Sequence, residues 1–451
     1  MSRFISNTFL IFNSSFLICL SSCSVSKQIG KQASSILLND TAISTGHIGI
    51  SLYEPATGKY WYNYNATKYF IPASNTKLFT LYAGMKYLGD SLVAARLNRS
   101  NNIISVYPSG DPTFLNSEFG FQPLLENLKG QANIYINTVK WQSNPLGNGW
   151  AWDDYNEPYM AERSAFPVYG NLISFSLQKD VLAVSSNAVD LMADEKPGSP
   201  IHFDPETKKV SSDKFGIERK YGSNDFYIRD ANTSFRKRSI PFKTNSDFVA
   251  SLLKDTLKAE DVTFFSSDPP GNKLPQTIVI HSQPSDSLFK PMMYRSDNFF
   301  AEQTLLMASN EHLGYMNDDT MIDTLLRTDL KDVPQRPKWV DGSGLSRYNL
   351  FTPQSFVYIL NKMKNEFGWD RMKNILPTGG TGTLASYYKK ESGFIYAKTG
   401  TLSNNCSLSG YIITKKGKFL IFSVLANNYS TGATPVRKAV EQFLVGIREK
   451  Y

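Results

Sequence analysis

Ile71-Pro-Ala-Ser74-Asn-Thr-Lys77 runs directly into the apolar stretch Leu78-Phe-Thr-Leu-Tyr-Ala-Gly-Met85, and the fold is decided by how that junction is read. The stretch predicts a helix from about Asn75 to Leu88, with Ser74 at its start. Serine has an ordinary use there, capping the free backbone N–H groups of the first turn. Capping alone makes no demand on the residue three positions further on. Residues three apart share a helix face, so the Lys77 amine can reach the Ser74 hydroxyl and take its proton. That work needs a neutral amine. A lysine of reference pKa about 10.4 becomes one near neutrality when burial or a neighbouring cation lowers it.

Ser-x-x-Lys recurs elsewhere, as at Ser176 to Lys179 and Ser251 to Lys254, so context has to select Ser74. Two further motifs supply it. Ser296-Asp297-Asn298 and Lys398-Thr399-Gly400 each occur once, in that order after Ser74, and the three together form a set of serine acyl-transfer signatures. Lys398 lies at the end of a predicted strand over 394–398, with antiparallel strands expected at 407–414 and 418–425. Gly400 removes a side chain where a substrate backbone would approach. The N–H of Thr401 can join that of Ser74 as an oxyanion hole, where one lost donor costs about 2.7–4 kcal/mol of transition-state stabilisation. Lys398 and Thr399 are suited to hold a terminal carboxylate.

These motifs and several flanking stretches resemble the low-molecular-mass class C penicillin-binding proteins, which are D-alanyl-D-alanine carboxypeptidases and endopeptidases. The flanks are Gly110-Asp-Pro-Thr-Phe114, Gly149-Trp-Ala-Trp-Asp-Asp154, Val340-Asp-Gly-Ser-Gly-Leu-Ser-Arg-Tyr-Asn349 and Ala397 to Leu402. The resemblance spans nearly the whole mature chain. It implies that Ser74 is the nucleophile, Lys77 its base and Ser296 a proton relay to the leaving amine. It further implies that Asn298, Lys398, Thr399 and Thr401 bind substrate, and that Asp154 meets the amine end of the stem peptide, with Asp153 its close competitor. Asp297 is expected to have a structural part. The partners implied are peptidoglycan stem peptides, with β-lactam antibiotics as acylating inhibitors of the same serine. No cofactor is implied, and no residue spacing suggests a metal site.

The expected fold class is α+β: a transpeptidase/β-lactamase-like domain, an antiparallel sheet flanked by helices, made from both ends of the chain. Residues 46–96 and 286–451 are its two parts. Residues 97–285, rich in short β-like runs broken by Gly, Pro, Asn and Asp, read as a mostly β insertion of one or two small domains, with no βαβ rhythm. His47 to Tyr53 and Lys59 to Tyr64 form a hairpin through Pro55 to Gly58. Helical patterning marks 298–309 and 353–365. Thr434 as N-cap opens a last helix with Val436, Val440, Phe443, Leu444 and Ile447 on one face.

At the other end, Arg3 and the apolar runs after it make residues 1–22 a secretory signal. Leu20-Ser-Ser-Cys23 resembles a bacterial lipobox, which makes Cys23 the site of a lipid anchor and residues 23–45 a polar tether. The protein is therefore expected to be exported and held on a membrane facing the periplasm. Besides Cys23 the chain has Cys19, inside the signal, and Cys406, so no disulfide framework is available. Cys406 reads as a small core residue. The 48 basic and 40 acidic residues are spread along the chain, with no dense Lys/Arg block, which argues against a nucleic-acid partner.

Other chemistries fit less well. A serine β-lactamase shares the three motifs on a shorter chain without so large an insertion. A catalytically silent wall-binding lipoprotein is disfavoured because Ser74, Lys77, Ser296, Asn298 and Lys398 are all intact. Gly-x-Ser-x-Gly is absent, the 341–346 loop reads as shaping the cleft, and the four histidines offer no triad pattern.

Overall fold

The computed structural model describes residues 25–100, 102–178, 181–185, 201–203, 215–230, 237–267 and 277–451. Strands β1 (His47–Glu54) and β2 (Lys59–Tyr64) form the expected hairpin. A 3-10 turn, Ala73–Thr76, then leads into α1 (Lys77–Tyr87). Every residue of α1 from Lys77 to Met85 is buried, so this helix is a central element rather than a surface one.

Strand β3 (Ser91–Ser100) carries the chain outward, followed by β4 (Ile103–Pro108), α2 (Pro123–Leu128) and β5 (Asn133–Asn137). Six short strands come next: β6 (Leu172–Gln178), β7 (Val181–Ser185), β8 (Ile201–Phe203), β9 (Phe215–Arg219), β10 (Phe226–Asp230) and β11 (Lys237–Pro241). Helix α3 (Ser246–Leu257), β12 (Asp261–Phe265) and β13 (Ile278–Pro284) complete the excursion. Its main sheet has the order β12-β5-β4-β3-β13. β13 returns antiparallel to β3, so the excursion leaves and re-enters through paired strands. The region is mostly β, but β4 and β5 run parallel with α2 between them, and β12 runs parallel to β5. Helical crossovers are therefore present where the sequence suggested none. Helix α2 is short, with too few apolar positions to stand out by period.

The chain then forms α4 (Ser285–Tyr294), α5 (Asn298–Leu313), α6 (Asp318–Arg327), α7 (Pro353–Phe367) and α8 (Trp369–Ile375). Strands β14 (Ile395–Leu402), β15 (Asn405–Ile413) and β16 (Phe419–Asn427) and helix α9 (Ala433–Lys450) finish it. The central sheet is antiparallel in the order β14-β15-β16-β1-β2, so the two ends of the chain meet at the β16–β1 pair. Helices α1 and α4 to α8 pack an apolar core on one face, including Phe79, Phe289, Leu305, Phe356 and Leu425. α9 covers the other face with Val436, Val440, Phe443, Leu444 and Ile447, as expected from its spacing. Cover on both faces explains why β16 reads Phe-Leu-Ile-Phe-Ser-Val-Leu-Ala without alternation.

Two expectations need correction. Residues 25–44 are not a free tether: 25–38 are helical, and Ile29, Ala33, Leu37, Ala42 and Ile43 are buried with α9 in the second core. Gln32 Nε2 also donates to the Phe443 carbonyl at 3.3 Å. Small and polar residues between the apolar ones obscured this amphipathic pattern. Helix α9 begins at Ala433 with Gly432 at the N-cap, so Thr434 lies inside the first turn. The lipobox at Cys23 lies outside the described residues, and among those described no helix is long and apolar enough to cross a membrane.

The packed segment is testable. Leu37→Ala should lower the unfolding free energy by about 2–5 kcal/mol, the usual range for a buried leucine. Urea unfolding would read this, and a freely moving tether would leave the midpoint unchanged.

Candidate active site

Ser74 sits in the 3-10 turn ahead of α1 and its side chain accepts no capping bond from it, so its hydroxyl is left for other contacts. The turn is held from three sides. Ala73 has a left-handed backbone, with φ 49°. Thr76 Oγ1 donates to the Ala73 carbonyl at 2.9 Å, and Ser407 Oγ to the Pro72 carbonyl at 2.6 Å. Gly344 presses on it so closely that a Cβ there would lie 1.9 Å from the Ala73 oxygen.

One helical turn on, Lys77 is fully buried and its Nζ lies 2.9 Å from Ser74 Oγ, 2.6 Å from Asn298 Oδ1 and 2.7 Å from the Ser343 carbonyl. As an ammonium the group donates to all three. As a free amine it keeps two donors for Asn298 and Ser343 and turns its lone pair to the Ser74 hydroxyl. Burial lowers its pKa to about 8, against the upward pull of Asp341, Glu302 and Asp297.

Asn298 opens α5. Asp297 is the N-cap of that helix, its carboxylate accepting from Phe300 N at 2.9 Å, and Arg295 Nη2 lies 2.9 Å away on the same group. Ser296, just before it, has φ 65°. That strained backbone sets its hydroxyl 2.8 Å from Lys398 Nζ. Lys398 is itself fully buried and also donates to the Thr399 carbonyl at 2.6 Å. Burial and the nearby Lys77 push it well below the ordinary lysine value.

A second layer fixes Lys77 from behind. Asp341, fully buried, accepts from Gly344 N (2.8 Å), Ser346 N (2.7 Å), Trp150 Nε1 (3.0 Å) and Asn349 Nδ2 (2.7 Å), which locks the 341–349 loop. Glu302, one turn along α5 from Asn298, accepts from Ser343 N at 2.7 Å. Arg163 Nη1 lies 3.3 Å from Glu302 and 2.5 Å from Asp318. Burial and Asp341 raise Glu302 to about 7 against the pull of Arg163.

On the far wall, β14 is the edge strand of the central sheet. A Cβ on Gly400 would lie 2.9 Å from Ser74 N and 2.6 Å from the Pro72 carbonyl, so the strand end lies against the Ser74 turn. Asn75, with its amide oriented to donate to the Lys398 carbonyl at 2.7 Å and accept from Ser409 Oγ at 2.7 Å, ties the two together.

The residues singled out by sequence therefore fall into two groups. Ser74, Lys77 and Asn298 are joined by direct hydrogen bonds, as are Ser296 and Lys398, with Thr399 and Thr401 following Lys398 on β14. Asp154 stands apart in the 3-10 turn Trp152–Asp154 and connects indirectly. It hydrogen-bonds the Tyr159 phenol, which burial and that bond push up to about 12, and the Tyr159 carbonyl accepts from Asn298 Nδ2 at 3.0 Å. Sequence reasoning missed the Ser343 carbonyl, Glu302 and Arg163. Only Glu302 carried a signal, an acid four residues after Asn298 on one helix face.

Fold and site are those of a serine peptidase whose sheet edge flanks its nucleophile. The profile described as the D-Ala-D-Ala carboxypeptidase 3 (S13) family matches residues 31–450, and the chain belongs to that family. D-alanyl-D-alanine carboxypeptidase DacB of Haemophilus influenzae is 24% identical over 416 residues, covering 82% of this chain and 83% of that protein. A D-alanyl-D-alanine carboxypeptidase of an Actinomadura species is 24% identical over 441 residues, covering 89% and 81%. The crystal structure of penicillin binding protein 4 from H. influenzae superposes with a TM-score of 0.71 at 18% identity, covering 93% of this chain and 99% of that one.

Asp341→Ala strands several buried donors at about 1–3 kcal/mol each, so stability should fall by at least about 3 kcal/mol. Chemical denaturation checks this, with Trp150 fluorescence reporting the loop.

Proposed function

We propose that this chain hydrolyses D-alanyl-D-alanine termini, D-alanine cross-links, or both, in peptidoglycan through an acyl-enzyme on Ser74. The observation that carries the proposal is the Lys77 amine 2.9 Å from the Ser74 hydroxyl, held there by Asn298 and Ser343. Neutral Lys77 takes the Ser74 proton as Oγ attacks the carbonyl of the penultimate D-alanine. The oxyanion is met by the N–H groups of Ser74 and Thr401. Ser296, bonded to Lys398, relays to the departing amine the proton that Lys77 has taken, so that D-alanine or a cross-linked peptide leaves and Lys77 is again a free amine. Water then attacks the ester, its proton returns through Lys77, and Ser74 is regenerated.

Lys398, Thr399 and Thr401 hold the carboxylate of the leaving residue, while Asn298 meets the peptide backbone. Asp154, on the insertion side of the cleft, takes the amine end of the stem peptide. β-Lactams acylate Ser74 in the same way and leave slowly. In support, penicillin binding protein 4 of H. influenzae has also been solved with a β-lactam, in a structure of TM-score 0.65 to this one. We further propose that residues 1–22 direct export, that Cys23 carries a lipid, and that the peptidase unit is divided by an insertion over 97–285 of the chain. The lipid would tether the enzyme to a membrane on the periplasmic side.

Intact-mass measurement of the protein with benzylpenicillin should give a stoichiometric adduct that Ser74→Ala lacks, and a pentapeptide ending in D-Ala-D-Ala should release D-alanine. Rapid penicillin turnover without peptide cleavage would instead mark a β-lactamase. A second outcome concerns pH. Because Lys77 acts as the free amine, acylation should rise with pH through a midpoint near 8, and fall below it. Glu302→Gln removes a negative charge that favours the ammonium, so stopped-flow acylation should show that midpoint displaced downward.

A further inference from the structure

Along β14, Lys398 and Gly400 face the Ser74 turn, so alternation sends Thr399 and Thr401 to the other side of the strand. That side faces α9. Thr399 lines a small cavity with Thr383, Tyr387, Cys406 and Arg437. Arg437 Nη2 donates to Thr401 Oγ1 at 2.5 Å, and the guanidinium lies 6.0 Å from the Tyr387 ring centroid. Among the described residues Arg437 has no carboxylate within 4.0 Å. Glu441, one turn further along α9, instead accepts from Tyr388 N at 2.5 Å. A guanidinium has five N–H donors in a planar fork; this one also interacts with the Cys406 thiol, and donors remain beyond those turned to Thr401 and Cys406. β14 is an edge strand, so side chains on both of its faces reach around to a ligand lying along that edge.

We infer that Arg437 is a specificity-determining residue of the cleft, which recognises the free carboxylate of the leaving residue together with Thr399 and Thr401. The inference rests on the peptidase reading above and adds a cation from the C-terminal helix to its carboxylate site. Lys398 has its charge weakened by burial and by Lys77, and one of its hydrogen bonds already goes to Ser296. The planar fork of Arg437 suits bidentate pairing with a carboxylate.

The test compares wild type, Arg437→Ala and Arg437→Lys on two pentapeptides, one ending in free D-Ala-D-Ala and the other in its C-terminal amide. Arg437→Ala should lower kcat/KM on the free acid by about 10–100-fold, mostly through KM, the range for one lost charge-assisted hydrogen bond. The amide, which has no carboxylate, should change by less than about twofold. Arg437→Lys should recover part of the loss on the acid. Thermal unfolding of each variant, run alongside, reports whether the fold is intact. Equal losses on acid and amide would mean that Arg437 only supports β14, and no loss on either would mean it lies outside the substrate path. Both results overturn the inference while leaving the peptidase reading in place. A wild type that cleaves neither peptide would overturn that reading and this inference with it.

Discussion

A fully buried lysine amine is costly unless each of its hydrogens finds an acceptor, and meeting that demand organises the whole site. Lys77 is met by its own turn at Ser74 and by two segments distant in sequence, the head of α5 at Asn298 and the loop at Ser343. Two of the three are fixed in turn by carboxylates. Asp297 caps the helix that presents Asn298, and Glu302 holds the amide of the residue whose carbonyl takes Lys77. The same carboxylates pull the lysine toward its charged form while burial pulls it toward the neutral one. The balance leaves it close to the range where a base can work.

The second lysine has a different part. Lys398 is as deeply buried and is also lowered, by the loss of water and by Lys77. The Lys77 amine repels a charge on Lys398, which makes the neutral state of Lys398 easier to reach. Ser296 is held on Lys398 by a strained backbone. The strain falls at Ser296 and, at Ala73, on the residue just before Ser74, where the surrounding turns and helices over-determine the backbone.

Much of this was legible in the sequence because it rests on local spacing. Ser74 and Lys77 are one turn apart, Asp297 precedes a helix, and β14 to β16 are consecutive strands, so their contacts follow from short-range geometry. The apolar face of α9 was readable for the same reason. What escaped was long-range: Arg163 reaches Glu302 from the insertion, and Arg437 reaches Thr401 from the last helix, with no periodic or motif signal in either case. The packed segment at 25–44 was hidden by its polar composition, since its apolar residues become a face only once α9 is there to meet them. The parallel pairing of β4 and β5 depends on a six-residue helix too short to carry a period.

The excursion from β3 to β13 begins and ends on adjacent paired strands, with Ser91 opposite Pro284. Such an entrance has the shape of a detachable module, one that could be cut at its neck and the ends rejoined. Arg163 forbids that operation. It extends from within the excursion to Glu302 and Asp318 in the peptidase unit, and its guanidinium is the counter-charge for two acids in a nearly dry interior. Cutting at the neck would leave Glu302 facing Asp341 without its arginine, which favours a proton on the carboxylate that holds Ser343. The excursion is thus joined to the enzyme twice, once by its backbone and once by charge. A shortened relative of this chain would have to replace the arginine before it could lose the β3–β13 excursion.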